Sequence, residues 1–171
     1  MNIIKQPRDG SFVVIFSGQI ENWQEMRFLL GCNINDGLFE LLGGGFDISD
    51  TTPDVAACRE IFEETMGTYI LENKDLTYFS HMIQKIPHLG KEEKGHVFCF
   101  FIQNGGYENF NASNEHNILT WHKTSDILEK GENEYRTSTL KIIFHFFNYL
   151  LDKKFKFGIL RDKVKFMNYE F

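Results

Sequence analysis

Three glutamates and an arginine lie within the stretch ACREIFEET, residues 57–65. In a helix, Glu60, Glu63 and Glu64 fall at i, i+3 and i+4, so their carboxylates share one face a turn apart. Like charges at that spacing cost stability unless a cation sits among them. A dense set of hard oxygen donors suits Mg2+ or Mn2+ better than zinc. Arg59 can pair with one of the carboxylates and fix its rotamer. A solvated helix face produces the same pattern, so the surrounding chain has to choose between the two.

Upstream runs LLGGGFDISDTTPDVAACRE, residues 41–60. Gly43, Gly44 and Gly45 follow a strand and let backbone approach a ligand closely. Asp47 and Asp50 add acidic groups in the loop that feeds the helix. Thr52 suits the N-cap, Pro53 the first helical position, and Asp54 the positive end of the dipole. Val55, Cys58, Ile61, Phe62 and Thr65 or Met66 recur at helical spacing and predict a helix over about 53–65, which Gly67 is placed to stop.

The elements around this helix read as a sheet. GSFVVIFS (10–17), EMRFLLGCNI (25–34) and LFELL (38–42) predict strands, with a tight turn at NDG (35–37). DLTYFSHMIQKI, GHVFCFFIQ and ILTWHK continue the series, separated by polar loops at 87–94 and 104–117. Leu140, Ile143, Phe144, Phe147 and Leu151 give the inner face of a last helix over roughly 137–152. The basic segment after it carries no clear pattern. Strands on both sides of a central helix, with a second helix at the end, predict one α/β domain over 1–171 with a mixed sheet between helices.

Bulk composition narrows the function classes. Eighteen phenylalanines among 171 residues supply a real core. A net charge of −6 argues against a broad DNA-binding or membrane-binding surface. Cys32, Cys58 and Cys99 form no CxxC pair, as expected of reduced thiols in a cytoplasmic protein. No apolar run is long enough to span a bilayer, and Met1 is followed by no leader pattern.

The order of glycine loop, acidic loop, capped helix and triple glutamate resembles the signature of the Nudix hydrolase superfamily. That signature runs G, five residues, E, seven residues, then R-E-U-x-E-E-x-G-U with U aliphatic. REIFEE matches it from Arg59 to Glu64 position for position, and LFELLGGG resembles the family's usual entry with Leu42 in place of proline. Two spacings depart from it. Counting back from Arg59 puts Thr51 and Gly45 at the first acid and glycine, whereas one inserted residue puts Asp50 and Gly44 there. Gly67 also comes one residue late. NEHNILTW (114–121) resembles the family's loop in which a glutamate precedes a strand tryptophan, which singles out Glu115.

The resemblance implies an α/β/α sandwich and metal-dependent hydrolysis of a nucleoside diphosphate linked to a further group X. It implies Mg2+, with Mn2+ as a substitute, on Glu60, Glu63, Glu64 and Asp50. Arg59, Glu63, Glu64 and Glu115 would carry the chemistry, and Gly43, Gly44 and Gly45 would bind the substrate. Glu115, a helix glutamate, or Glu92 or Glu93 could be the base. His116 and His122 are candidates for phosphate contact. A small nucleotide is the expected partner, with capped RNA kept open by the lysine-rich tail and a homodimer also open. A Nudix-fold module that binds a nucleotide or protein without turnover is the alternative.

Overall fold

Strand alternation builds the centre of the sheet. Along β1 (Gly10–Ser17), Val14 and Phe16 point to one side and Val13 and Ile15 to the other, as in a strand covered on both faces. The computed structural model describes residues 9–86, 90–103, 113 and 115–154. β1 pairs antiparallel with β2 (Arg27–Asn33) at its end and with β4 (Leu42–Gly45) at its start. β3 (Phe39–Glu40) and β7 (His116–Lys123) both pair with β2. β6 (Lys91–Phe101) lies parallel to β1, and β5 (Thr77–Ile86) pairs antiparallel with β6 at the sheet's edge.

One helix covers each face. α1 (Pro53–Glu64) sets Ala57 and Ile61 against Val13, Ile15, Leu29, Leu42 and Phe98. α3 (Thr137–Lys154) sets Leu140, Ile143, Phe146 and Phe147 against Val14, Phe28, Leu30 and Val97. The architecture is the expected α/β sandwich around a mixed sheet. Among the described residues, no helix is long and apolar enough to cross a membrane.

Several boundaries differ from the sequence reading, each for a tertiary reason. The single strand expected at 38–42 is two, because β3 pairs with β2 while β4 crosses to β1. Residues 91–94, read as loop, extend β6, since Glu92 and Glu93 find partners opposite Lys85 and Gln84. A short helix, α2 (Thr124–Lys130), follows β7 directly and was not expected; only Thr124 and Ile127 of it are buried, too few to show a period. Most of the 104–117 loop and the tail after Lys154 lie outside the described residues.

The ends of α1 are also instructive. Thr52 has the extended backbone of an N-cap, but its hydroxyl makes no capping hydrogen bond. Ser11 Oγ instead donates to the Pro53 carbonyl at 2.6 Å, tying the helix start to β1. At the other end Met66 and Gly67 both take positive φ, 49° and 75°, and the Gly67 N–H donates to the Phe62 carbonyl at 2.8 Å. The turn therefore begins at the residue where the signature has its glycine, and the late glycine completes it.

His122, on β7, lies against Phe39 and puts Nδ1 2.9 Å from the hydroxyl of the fully buried Tyr135. Burial lowers its pKa to about 4. The unfolded imidazole titrates near 6.5, so the contribution to stability is complete above that value and lost as pH falls from about 6.5 to about 4. Thermal melts across that range should show a shallower decline for His122→Asn than for the wild type; equal slopes would exclude His122 as the source.

Candidate active site

The three glycines of β4 are what let acids approach the sheet. Gly43 has φ 140°, a conformation open to glycine, and its N–H donates to Glu64 Oε2 at 2.8 Å. A Cβ on Gly44 would lie 2.6–2.9 Å from the Glu60 carboxylate. Glu60 and Glu64 are accordingly buried on the inner side of α1, while Glu63 points outward with its side chain 55% exposed.

Arg59 binds the outer half of the cluster. Its guanidinium lies 2.8 Å from Asp50, 2.9 Å from Glu60 and 3.0 Å from Glu63, and donates to the Gly45 carbonyl at 3.1 Å. Of the two residues that could be the signature's first acid, Asp50 reaches Arg59 and Thr51 is exposed. Both Asp50 oxygens face the guanidinium, and Oδ2 also accepts the Asp47 N–H at 2.6 Å. Asp50 thus anchors Arg59, a partner that the sequence reading did not give it.

The electrostatics follow from burial and crowding. Burial raises the pKa of Glu60 against the pull of Arg59, and the charges of Glu63 and Glu115 add to the rise. Burial likewise pushes Glu64 well above the usual carboxylate range; the Gly43 N–H opposes this, while Glu60, Glu115 and Glu40 reinforce it. Glu115 is exposed, yet its charge is felt by both, which places it beside the helix acids. Glu92 and Glu93 lie on β6, opposite β5, and Glu93 lines the cleft beside β4.

The donors are four carboxylates, Glu60 and Glu64 buried and Glu63 and Glu115 exposed, and hard oxygens of this kind suit a divalent cation. Arg59 pairs with Glu60 and Glu63, while the Gly43 N–H donates to Glu64 and His116 packs behind it. Among the described residues no three His, Cys, Asp or Glu side chains converge on one point. The two candidate phosphate-binding histidines, His116 and His122, are packed into the fold. His116 is buried behind Glu64, and His122 packs between Phe39 and Tyr135.

A cleft of about 1170 Å³ adjoins the cluster. Gly44, Gly45 and Glu40 form the near wall, Phe12, Met82 and Val97 are among its apolar lining, and Arg136, Lys94 and Lys141 supply cationic residues. Sequence reading missed Glu40, which lies in a two-residue strand without periodicity. It also missed Arg136, which lies 2.5 Å from Glu40.

Three substitutions test this geometry. Glu64 has a raised folded pKa, so its ionised form costs stability once pH exceeds the ordinary glutamate value. Without added metal, Glu64→Gln should raise the melting temperature at pH 7.5, and the gain should vanish near pH 4. Asp50→Asn should cost about 1.5–3 kcal/mol by unpairing Arg59, while Thr51→Val should be nearly silent; denaturant melts showing the reverse would move the register by one residue.

A NUDIX domain profile matches residues 7–141. No curated protein sequence matches the chain. Among solved structures it is similar to a C. elegans Ap4A hydrolase in a binary complex, at 17% identity over 85% of this chain and 98% of that one, TM-score 0.61. The NUDIX domain of Shewanella oneidensis NrtR complexed with ADP ribose gives 16% identity, 82% and 86% coverage, and TM-score 0.61. A bifunctional NMN adenylyltransferase/ADP ribose pyrophosphatase from Francisella tularensis, complexed with AMP and a manganese ion, gives 18% identity and TM-score 0.63; the match covers 86% of this chain but 43% of that protein. At such identities the likeness establishes the fold. The profile, which spans most of the length and includes the whole glycine strand and acidic helix, shows that the chain belongs to the NUDIX domain family.

Proposed function

We propose that the protein is a divalent-metal-dependent hydrolase that cleaves a phosphoanhydride bond in a nucleoside diphosphate linked to a further group X. The observation that carries this reading is the approach of buried Glu60 and Glu64 to the glycines of β4, of which Gly44 also lines a cleft of about 1170 Å³, large enough for a nucleotide. Glu60, Glu63, Glu64 and Glu115 would hold Mg2+ or Mn2+. Bound there, the cation would neutralise the diphosphate and lower the pKa of an attacking water.

The chain's own residues then have distinct tasks. Arg59 orients Glu60 and Glu63, and Gly43 orients Glu64. A carboxylate takes the proton from the water as its oxygen attacks phosphorus, and the phosphate of the other half leaves. Glu60 suits that role because burial raises its pKa toward neutrality; exposed Glu115 is its competitor. Phe12, Met82 and Val97 offer apolar surface for a base, and the cationic lining suits phosphate oxygens. Ap4A and ADP-ribose, the compounds that appear in the names of the structural neighbours, both carry such anhydrides and head the choice of substrates.

A binding module without turnover rests on the two departures from the family spacing. Asp50 takes up Arg59, and the Met66–Gly67 turn closes the helix after its acids, so neither departure dismantles the carboxylate cluster.

The test is a panel of nucleoside triphosphates, ADP-ribose, nucleotide sugars, dinucleoside polyphosphates and capped RNA, assayed with Mg2+, with Mn2+ and with EDTA. At least one member should be hydrolysed only with metal, and Glu63→Gln should lower kcat about 100-fold or more with folding retained. Full turnover in EDTA would refute the metal assignment, and metal-loaded inertness across the panel would favour the binding module.

A further inference from the structure

Glu64 is approached from two sides. Its Oε2 accepts the Gly43 N–H at 2.8 Å, and its Oε1 lies 3.5 Å from His116 Nδ1. His116 is 2% exposed, behind Glu64. Its ring fits because Gly31, on the paired strand β2, has no side chain: a Cβ there would come within 2.4 Å of ring carbon Cδ2. On the far side of the ring, Nε2 lies 3.3 Å from Glu40 Oε1.

Glu40 is itself clamped. Asn33 Nδ2 donates to Oε1 at 2.6 Å, and Arg136, which also binds Asp36 at 2.7 Å, lies 2.5 Å from Oε2. Burial opposes the charge on Glu40, but His116, Asn33 and Arg136 outweigh it and hold the carboxyl below its usual range. Of the two ring nitrogens, Nε2 is the one within hydrogen-bond reach of a carboxylate oxygen, and Nδ1 is directed at Glu64. Nδ1 is buried and has no conventional hydrogen-bond partner, so the ring's orientation comes from the Glu40 side.

We infer that His116 is a positioning residue for Glu64: Glu40 sets the ring, and the ring sets the depth and rotation of the metal-facing carboxylate. The inference rests on the proposed hydrolase reading and adds a line of contacts, Asp36–Arg136–Glu40–His116–Glu64, from a surface turn to the reactive cluster. Partners behind a ligating group commonly change metal affinity about 10- to 100-fold when removed.

The test titrates Mn2+ into the full-length protein by calorimetry and measures kcat and KM on whichever panel member is turned over. His116→Asn places an amide near the position of Nδ1 and keeps the arm toward Glu64. His116→Gln reaches only the position of Nε2 and keeps the arm toward Glu40. His116→Gln should weaken Mn2+ binding about 10- to 100-fold and lower kcat with KM little changed, and His116→Asn should restore part of both. Gly31→Ala, which touches no carboxylate but displaces the ring, should reproduce His116→Gln. Wild-type Mn2+ affinity and kcat in folded His116→Gln would overturn the inference, as would equal losses in the Asn and Gln variants that track melting temperature alone. A wild-type protein that binds no Mn2+ would overturn the metal reading and this inference together, a result visible before any substitution is made.

Discussion

A carboxylate can leave water only where something replaces its hydration. The neighbourhood of α1 is arranged around that constraint. Arg59 supplies one replacement, shared among Asp50, Glu60 and Glu63. The Gly43 N–H supplies a second for Glu64. Neither suffices: Glu60 and Glu64 keep raised pKa values, which means the folded chain bears unrelieved cost at both. Stability is held below its maximum at the place where charge would be needed for chemistry.

The two apolar layers carry that cost. Ala57 and Ile61 press α1 onto Val13, Ile15 and Leu29, and small Ala57 lets the helix sit close enough for Glu60 and Glu64 to reach β4. On the other face, α3 brings nine-tenths-buried phenylalanines against the sheet while its first turn borders the cleft. The same sheet therefore anchors the acids on one side and shapes the cavity beside them on the other.

Much of this was legible in the chain, and the limits are physical. The face shared by Glu60, Glu63 and Glu64 follows from helical spacing, and Pro53 and Gly67 marked the helix ends because their backbone preferences are local. What spacing could not show was depth and pairing. The bond from Arg59 to Asp50 could not be read because it depends on how the loop folds back. Thr52 read as a cap, but Ser11 on a distant strand does the tying. His116 read as a phosphate contact because exposure is not written in sequence, and Glu40 had no pattern at all in a strand of two residues.

The parallel register of β1 with β6 joins residues far apart in the chain, as in the pairing of Gly10 with Gly95. The antiparallel β1–β4 pair and the docking of α1 need only the first 64 residues. During synthesis the acidic helix can thus find its strand while the other edge of β1 still waits for its neighbour. That waiting edge, written in Val13, Val14 and Ile15, is apolar on both faces, and closing it costs the entropy of a long loop. The contacts of α1 and β4 with β1 are thus closer in sequence than those that complete the cleft, which wait for β6. Aggregation pressure falls on the interval between the two.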